Sequence, residues 1–218
     1  MPTSSWIPPN PFCRTVLGDI GPSSLGITNA HEHISIRNGL ITREHPDYRL
    51  DDTGKAIAEA LEFAVAGGRT LVEATPCGAG RDPEALIAVS QATGVHVIGC
   101  TGVLTEGYYL DSHWRFHYTA EEIAALWQAD VEVGMELSGY EGPLVRRSTA
   151  RAGIVKAGSD YQNIRKATRV AFEAAAMTHL RTGVPILTHT ETGTLMPEQV
   201  ALLESLGELP RQAAKFGF

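Results

Sequence analysis

From Ile27 onward the chain alternates short apolar runs, rich in β-branched residues, with longer segments of helical periodicity, and no change of composition interrupts the pattern. This alternation limits the fold more than any other feature. Strands separated by helices cannot be joined as hairpins, so they pair in parallel through crossover connections. The strand-like runs are Ile27 to His31, Arg69 to Ala74, Val95 to Thr101, Ala152 to Lys156 and Pro185 to His189. Asp52 or Thr53 caps a helix that runs to about Ala66, and Asp82-Pro83 starts one that runs to about Ala92. Thr119 and Glu122 form a capping box for a helix reaching about Met135. Asn163 to Thr182 is the longest helix, closed by Gly183, and Met196-Pro197 opens another that ends near Leu206, before Gly207. The 218 residues read as a single α/β domain, either an open doubly wound sheet or a closed (β/α)8 barrel of the TIM type.

Polar residues at the strand ends favour the barrel. His31 and His33 follow the first strand, Lys156 ends the fourth and His189 ends the fifth, and functional groups of a barrel gather at the C-terminal ends of its strands. An open sheet would place a Gly-rich phosphate turn after its first strand, and none follows Ile27 to His31. Alternation along a strand puts His31 and His33 on one face and Glu32 on the other, giving a pair of imidazoles suited to zinc, iron, manganese or nickel.

Composition narrows the partners. A 43% hydrophobic and 20% charged chain is ordinary for a globular protein and argues against disorder or a fibrous fold. The net charge of −7, with no Lys/Arg cluster among aromatics, argues against nucleic acid and anionic membranes and points to a small-molecule partner. Cys13, Cys77 and Cys100 are too widely spaced for a disulfide framework or a Cys-x-x-Cys clip and read as reduced thiols. No basic segment followed by an apolar run opens the chain, and no uncharged stretch reaches spanning length, so a cytoplasmic location is expected.

Several motifs together resemble the phosphotriesterase family of the amidohydrolase superfamily. Thr15-Val16-Leu17-Gly18 followed by Gly26-Ile27-Thr28-Asn29-Ala30-His31-Glu32-His33 resembles its entry strand and first metal motif, although Asn29 stands where an aliphatic residue is more usual. Gly67 to Thr75 with Gly80-Arg81-Asp82-Pro83 resembles the second strand and its loop, and Val95 to Gly102 the third strand. Ala152-Gly153-Ile154-Val155-Lys156 resembles the fourth, and Thr182 to Thr190 the fifth. The similarity runs in order over about residues 15 to 206.

The resemblance implies a binuclear centre of two divalent metals, usually zinc, at the mouth of a (β/α)8 barrel. His31 and His33 would bind the more buried metal and His189 the more exposed one. Lys156, carboxylated by carbon dioxide, would bridge them, because a carbamate replaces a repelling ammonium with a two-armed anionic donor. A water between the metals would be acidified and attack an ester-type bond, in a lactone, another carboxylic ester or a phosphotriester, with lactones and related esters favoured. Tyr108 or Tyr109, in the loop after the third strand, would donate a phenolic hydrogen bond to the substrate. His96 lies at the opposite end of its strand, and His179 falls inside a helix. His45, His113 and His117 either line or cover a pocket. Glu73, Arg81 and Asp82 are expected to form a local salt bridge rather than reach the metals.

Complete members of that family continue with a sixth strand ending in Gly-His and an eighth strand carrying a metal-binding aspartate. After Pro210 this sequence shows neither a β-branched strand pattern nor a histidine, so about five βα units and an incomplete barrel are expected. Two readings follow. One is a metal-dependent hydrolase; the other is a truncated, inactive fragment or a non-enzymatic binding or assembly subunit. The oligomeric state is left open, a homodimer included.

Overall fold

The structure, a computed structural model, describes residues 11–207 and 214–217. An antiparallel hairpin of β1 (Cys13–Thr15) and β2 (Gly18–Ile20) precedes the main sheet. That sheet has six parallel strands: β3 (Ile27–Glu32), β4 (Gly68–Glu73), β5 (His96–Gly102), β6 (Ala152–Ser159), β7 (Ile186–Thr190) and β8 (Ala214–Gly217). Their spatial order is their chain order. A doubly wound sheet reverses direction at a switch point, whereas a barrel wall adds each strand beside the last, so this sheet is an incomplete barrel wall.

Helices α1 (Leu40–Glu44), α2 (Thr53–Val65), α3 (Pro83–Thr93), α4 (Ala120–Glu132), α5 (Lys166–Thr182) and α6 (Met196–Ser205) fill the connections. Their ends follow local chemistry. Asp52 accepts from the Lys55 amide at 3.1 Å, Asp82 from the Ala85 amide at 3.2 Å, and Thr119 and Glu122 satisfy each other's amides. Gly94 and Gly183 close α3 and α5 in the left-handed conformation. Two helices are shorter than expected. α4 stops at Glu132 because the chain turns at Gly134, where Met135 donates its amide to the Ala150 carbonyl at 2.7 Å. α5 starts at Lys166 rather than Asn163.

One apolar layer lies between sheet and helices and contains Trp127, Phe172, Leu86, Val97, Val155 and Ile186. A second, smaller cluster of Ala74, Cys100, Ile154 and Leu187 fills the concave face. Every residue of β6 is buried, as expected of a strand covered on both sides. The hairpin is tied to the sheet by the Val16 amide, which donates to the Val97 carbonyl at 2.8 Å. Its Arg14 backbone crosses so close to Gly153 that any side chain there would collide with the Arg14 carbonyl.

The expected strands are all present, within about two residues at each end except β6, which runs three residues past Lys156. The tail is a correction. β8 pairs with β7 from Ile186↔Ala214 to His189↔Gly217, although its Ala-Lys-Phe-Gly sequence carries no β-branched signal. Residues 208–213 and 218, including Pro210 and the final Phe218, lie outside the described residues.

Candidate active site

Period-two alternation builds the site. Ile154 and Lys156 share a face of β6, and Leu187 and His189 share a face of β7. Ile154 and Leu187 belong to the concave cluster, so Lys156 and His189 stand directly above it, at the C-terminal ends of their strands. His31 and His33 come from the end of β3, their ring centroids 5.5 Å apart and inclined at 65°. All four side chains line one cleft of about 440 Å³.

The end of β3 is held by its own polar residues. Asn29 donates its side-chain amide to Glu32 at 2.8 Å, Glu32 accepts the His33 backbone amide at 2.9 Å, and Asn29 accepts the His31 amide at 3.3 Å. Asn29, the departure from the family pattern, is therefore used to shape the strand end that carries both histidines.

Lys156 is 1% exposed, and its Nζ donates to the Ala74 carbonyl at 2.9 Å. Burial holds its amine below the usual lysine range, with Cys100 and Glu73 acting in the opposite direction. Burial, with Lys156, His31 and His189 nearby, pushes the His33 imidazole down to about 3. His33 is thus neutral at physiological pH, the form that binds metals. His189 Nε2 lies 3.2 Å from a Glu191 carboxylate oxygen.

Among the described residues, no three His, Cys, Asp or Glu side chains form a group able to hold a metal. The chemistry of the donor set nevertheless fits a divalent cation once Lys156 is counted. Three imidazoles and a desolvated amine with one carbonyl partner are nitrogen donors for a borderline metal, and carboxylation would give Lys156 anionic oxygens.

The remaining walls are Ile36, Ile41, Leu50 and Leu104, with Asp47, Tyr48 and Tyr108 at the polar part of the rim. The two tyrosines of the loop after β5 part company. Tyr108 lines the cleft, hydrogen-bonds Tyr48, and is pushed up to about 12, chiefly by burial. Tyr109 does not reach the cleft: its hydroxyl donates to the Cys77 carbonyl and accepts the Leu104 amide, both at 2.9 Å, while Arg115 stacks on its ring. Its expected substrate contact is corrected to a structural role.

The acidic residues after β4 also need correcting. Arg81 does not pair with Glu73 or Asp82. It donates to the buried Asp130 at 2.9 Å, where Arg147, Thr101 and Tyr140 also converge. Glu73 lies beneath the cleft, with one carboxylate oxygen 3.8 Å from His33 Nδ1. His45 stacks on Tyr48 at the rim, whereas His113 packs between Tyr109 and Trp114. His117 meets the Asp111 carbonyl at 3.0 Å, and His179 meets the Val184 carbonyl at 2.8 Å. Asp47, Tyr48, Thr75 and Glu191 carried no spacing signal that marked them in the sequence. Only their place on loops after strand-like runs pointed toward this end of the barrel.

Comparison with known proteins agrees with this architecture. The model of the phosphotriesterase family matches residues 11–209. An uncharacterized protein of Mycoplasma pneumoniae is 40% identical over 204 residues, 92% of this chain and 58% of that protein. A phospho-furanose lactonase of Mycoplasmopsis agalactiae is 37% identical with the same coverage, so the chain spans 58% of the length of these curated relatives. The crystal structure of an amidohydrolase from Mycoplasma synoviae superposes with a TM-score of 0.91 at 37% identity, covering 96% of this chain and 60% of that one. A lactonase structure from Listeria monocytogenes gives 0.84 at 28% identity, covering 95% and 65%. Shared strand order, shared motifs and a match spanning nearly all described residues lead to one conclusion: the chain belongs to the phosphotriesterase family.

Proposed function

We propose that this chain carries the metal-binding cleft of a hydrolase that opens lactones or related esters, with a phosphorylated furanose lactone as the substrate class. The observation that carries the reading is the convergence of His31, His33, Lys156 and His189 from three strand ends on one cleft. Relatives named phospho-furanose lactonases, 37% and 39% identical, support the lactone over a phosphotriester.

A divalent cation bound there would polarise the acyl oxygen and acidify water for attack at the carbonyl carbon. His31 and His33 contribute neutral imidazoles. Lys156, its amine biased toward the free base, adds through nitrogen to carbon dioxide; an N–C bond forms and the amine proton leaves to solvent, which yields the carbamate. Tyr108, protonated at neutral pH, orients the substrate through its hydroxyl. Ile36, Ile41, Leu50 and Leu104 keep bulk water from the rest of the cleft.

The test is hydrolysis of a phosphorylated pentono-1,4-lactone, its unphosphorylated counterpart and an aryl phosphotriester, with metal content measured on the same sample. The reading predicts bound metal and turnover that prefers the phosphorylated lactone. Protein without metal and without turnover of any of the three would overturn it in favour of a non-catalytic binding or assembly role.

A further inference from the structure

The end of β4 runs beneath the cleft. Glu73 is 1% exposed and accepts the Ile34 amide at 2.5 Å and the Thr75 amide at 2.7 Å. It also accepts a hydrogen bond from the Thr75 side chain. Thr75 Oγ1 in turn lies 2.8 Å from His33 Nδ1. Between them, the Ala74 carbonyl accepts Lys156 Nζ. Three consecutive residues therefore touch two of the four nitrogen-bearing side chains.

The direction of the hydrogen bonds follows from their chemistry. An ionised carboxylate only accepts, and a hydroxyl has one proton to give. Thr75 spends that proton on Glu73, so toward His33 its oxygen must accept. His33 Nδ1 then carries the imidazole hydrogen, and the Nε2 lone pair is the one left for a ligand. This is the arrangement by which outer residues fix the tautomer and ring orientation of a metal-binding histidine.

We infer that Thr75 and Glu73 are positioning residues for His33, a hydroxyl-to-carboxylate relay that sets its Nδ1–H tautomer and presents Nε2 to the cation. Buried Glu73 also gives that cation a counter-charge. The inference rests on the metal reading above.

Two measurements on the full chain test it: the imidazole 15N shifts of His33 in metal-free protein, and Co²⁺ affinity by competition with a chelator. Thr75→Val keeps the side-chain shape but removes the hydroxyl, and Thr75→Ser restores it. Wild type and Thr75→Ser should show the Nδ1–H tautomer and similar affinity. Thr75→Val should lose that tautomer preference and bind Co²⁺ about 10- to 100-fold more weakly. Wild-type tautomer and affinity in Thr75→Val would overturn the relay, as would a loss that Thr75→Ser fails to restore. A wild-type chain that shows the Nδ1–H tautomer but takes up no Co²⁺ would overturn the metal reading itself and the inference with it.

Discussion

Replacing Lys156 by methionine should make the metal-free protein more stable and abolish its capacity to hold metal. The side chain is 1% exposed, its only hydrogen bond goes to the Ala74 carbonyl at 2.9 Å, and burial already holds its amine below the usual range. Burying an uncompensated charge costs several kcal/mol per ion even after relaxation, roughly 3–5. Losing a hydrogen bond from a charged group gives back about 1.5–3 kcal/mol, which leaves a net gain of about 1–2 kcal/mol for Lys156→Met. For a chain of this size that corresponds to a rise in Tm of about 2–8 °C. The sign of the pH dependence is fixed as well. A lysine depressed in the folded state is protonated more readily in the unfolded chain, so wild type gains stability as pH rises from neutral toward the ordinary lysine pKa of about 10.4, and the variant lacks this gain. Thermal unfolding of both proteins in metal-free buffer purged of carbon dioxide, from pH 7 to 9, reads the difference. A Tm for Lys156→Met several degrees below wild type, or unchanged metal uptake, would refute the reasoning.

Tyr109→Phe should cost about 1–3 kcal/mol in a denaturant titration, because the Leu104 amide and Cys77 carbonyl lose their shared partner. Tyr108→Phe should leave stability nearly unchanged but lower lactone kcat/KM by roughly tenfold, the effect of one substrate hydrogen bond. Asp130→Asn should destabilise by about 3–5 kcal/mol in the same titration, since buried Arg81 loses its counter-ion. For His33, held near 3 in the folded state, the unfolded chain binds the extra proton below about pH 6.5. Stability of the metal-free protein should therefore fall as pH drops from about 6.5 toward 3, and His33→Gln, followed by thermal unfolding across that range, should flatten the slope.

The parallel strands were legible because each is an apolar, β-branched run bounded by turn residues, and β6, buried along its whole length, is the extreme case. The helix starts were legible because their caps are local: Asp52, Asp82 and Thr119 reach only three residues ahead. What was hidden depends on distant partners. The four residues of β8 form a strand because the free edge of β7 offers a ladder, not because Ala-Lys-Phe-Gly favours one. The hairpin strands of three residues each are too short to show a period. Within the site, His31, His33, Lys156 and His189 were visible from their positions at strand ends. Arg81 was misread because its partner, Asp130, lies 49 residues away. Tyr108 and Tyr109 are adjacent, so only packing could decide which faces the cleft. Thr75 and Glu73 escaped notice because a residue that holds a ligand in place needs no characteristic spacing.

The central claim is that His31, His33, Lys156 and His189 form a metal-binding cleft. An anomalous difference map from crystals of the zinc-loaded protein, collected at the zinc edge, tests it directly. The account predicts a peak about 2.0–2.1 Å from a ring nitrogen of both His31 and His33. A zinc peak elsewhere, or an empty cleft at saturating zinc, would contradict it.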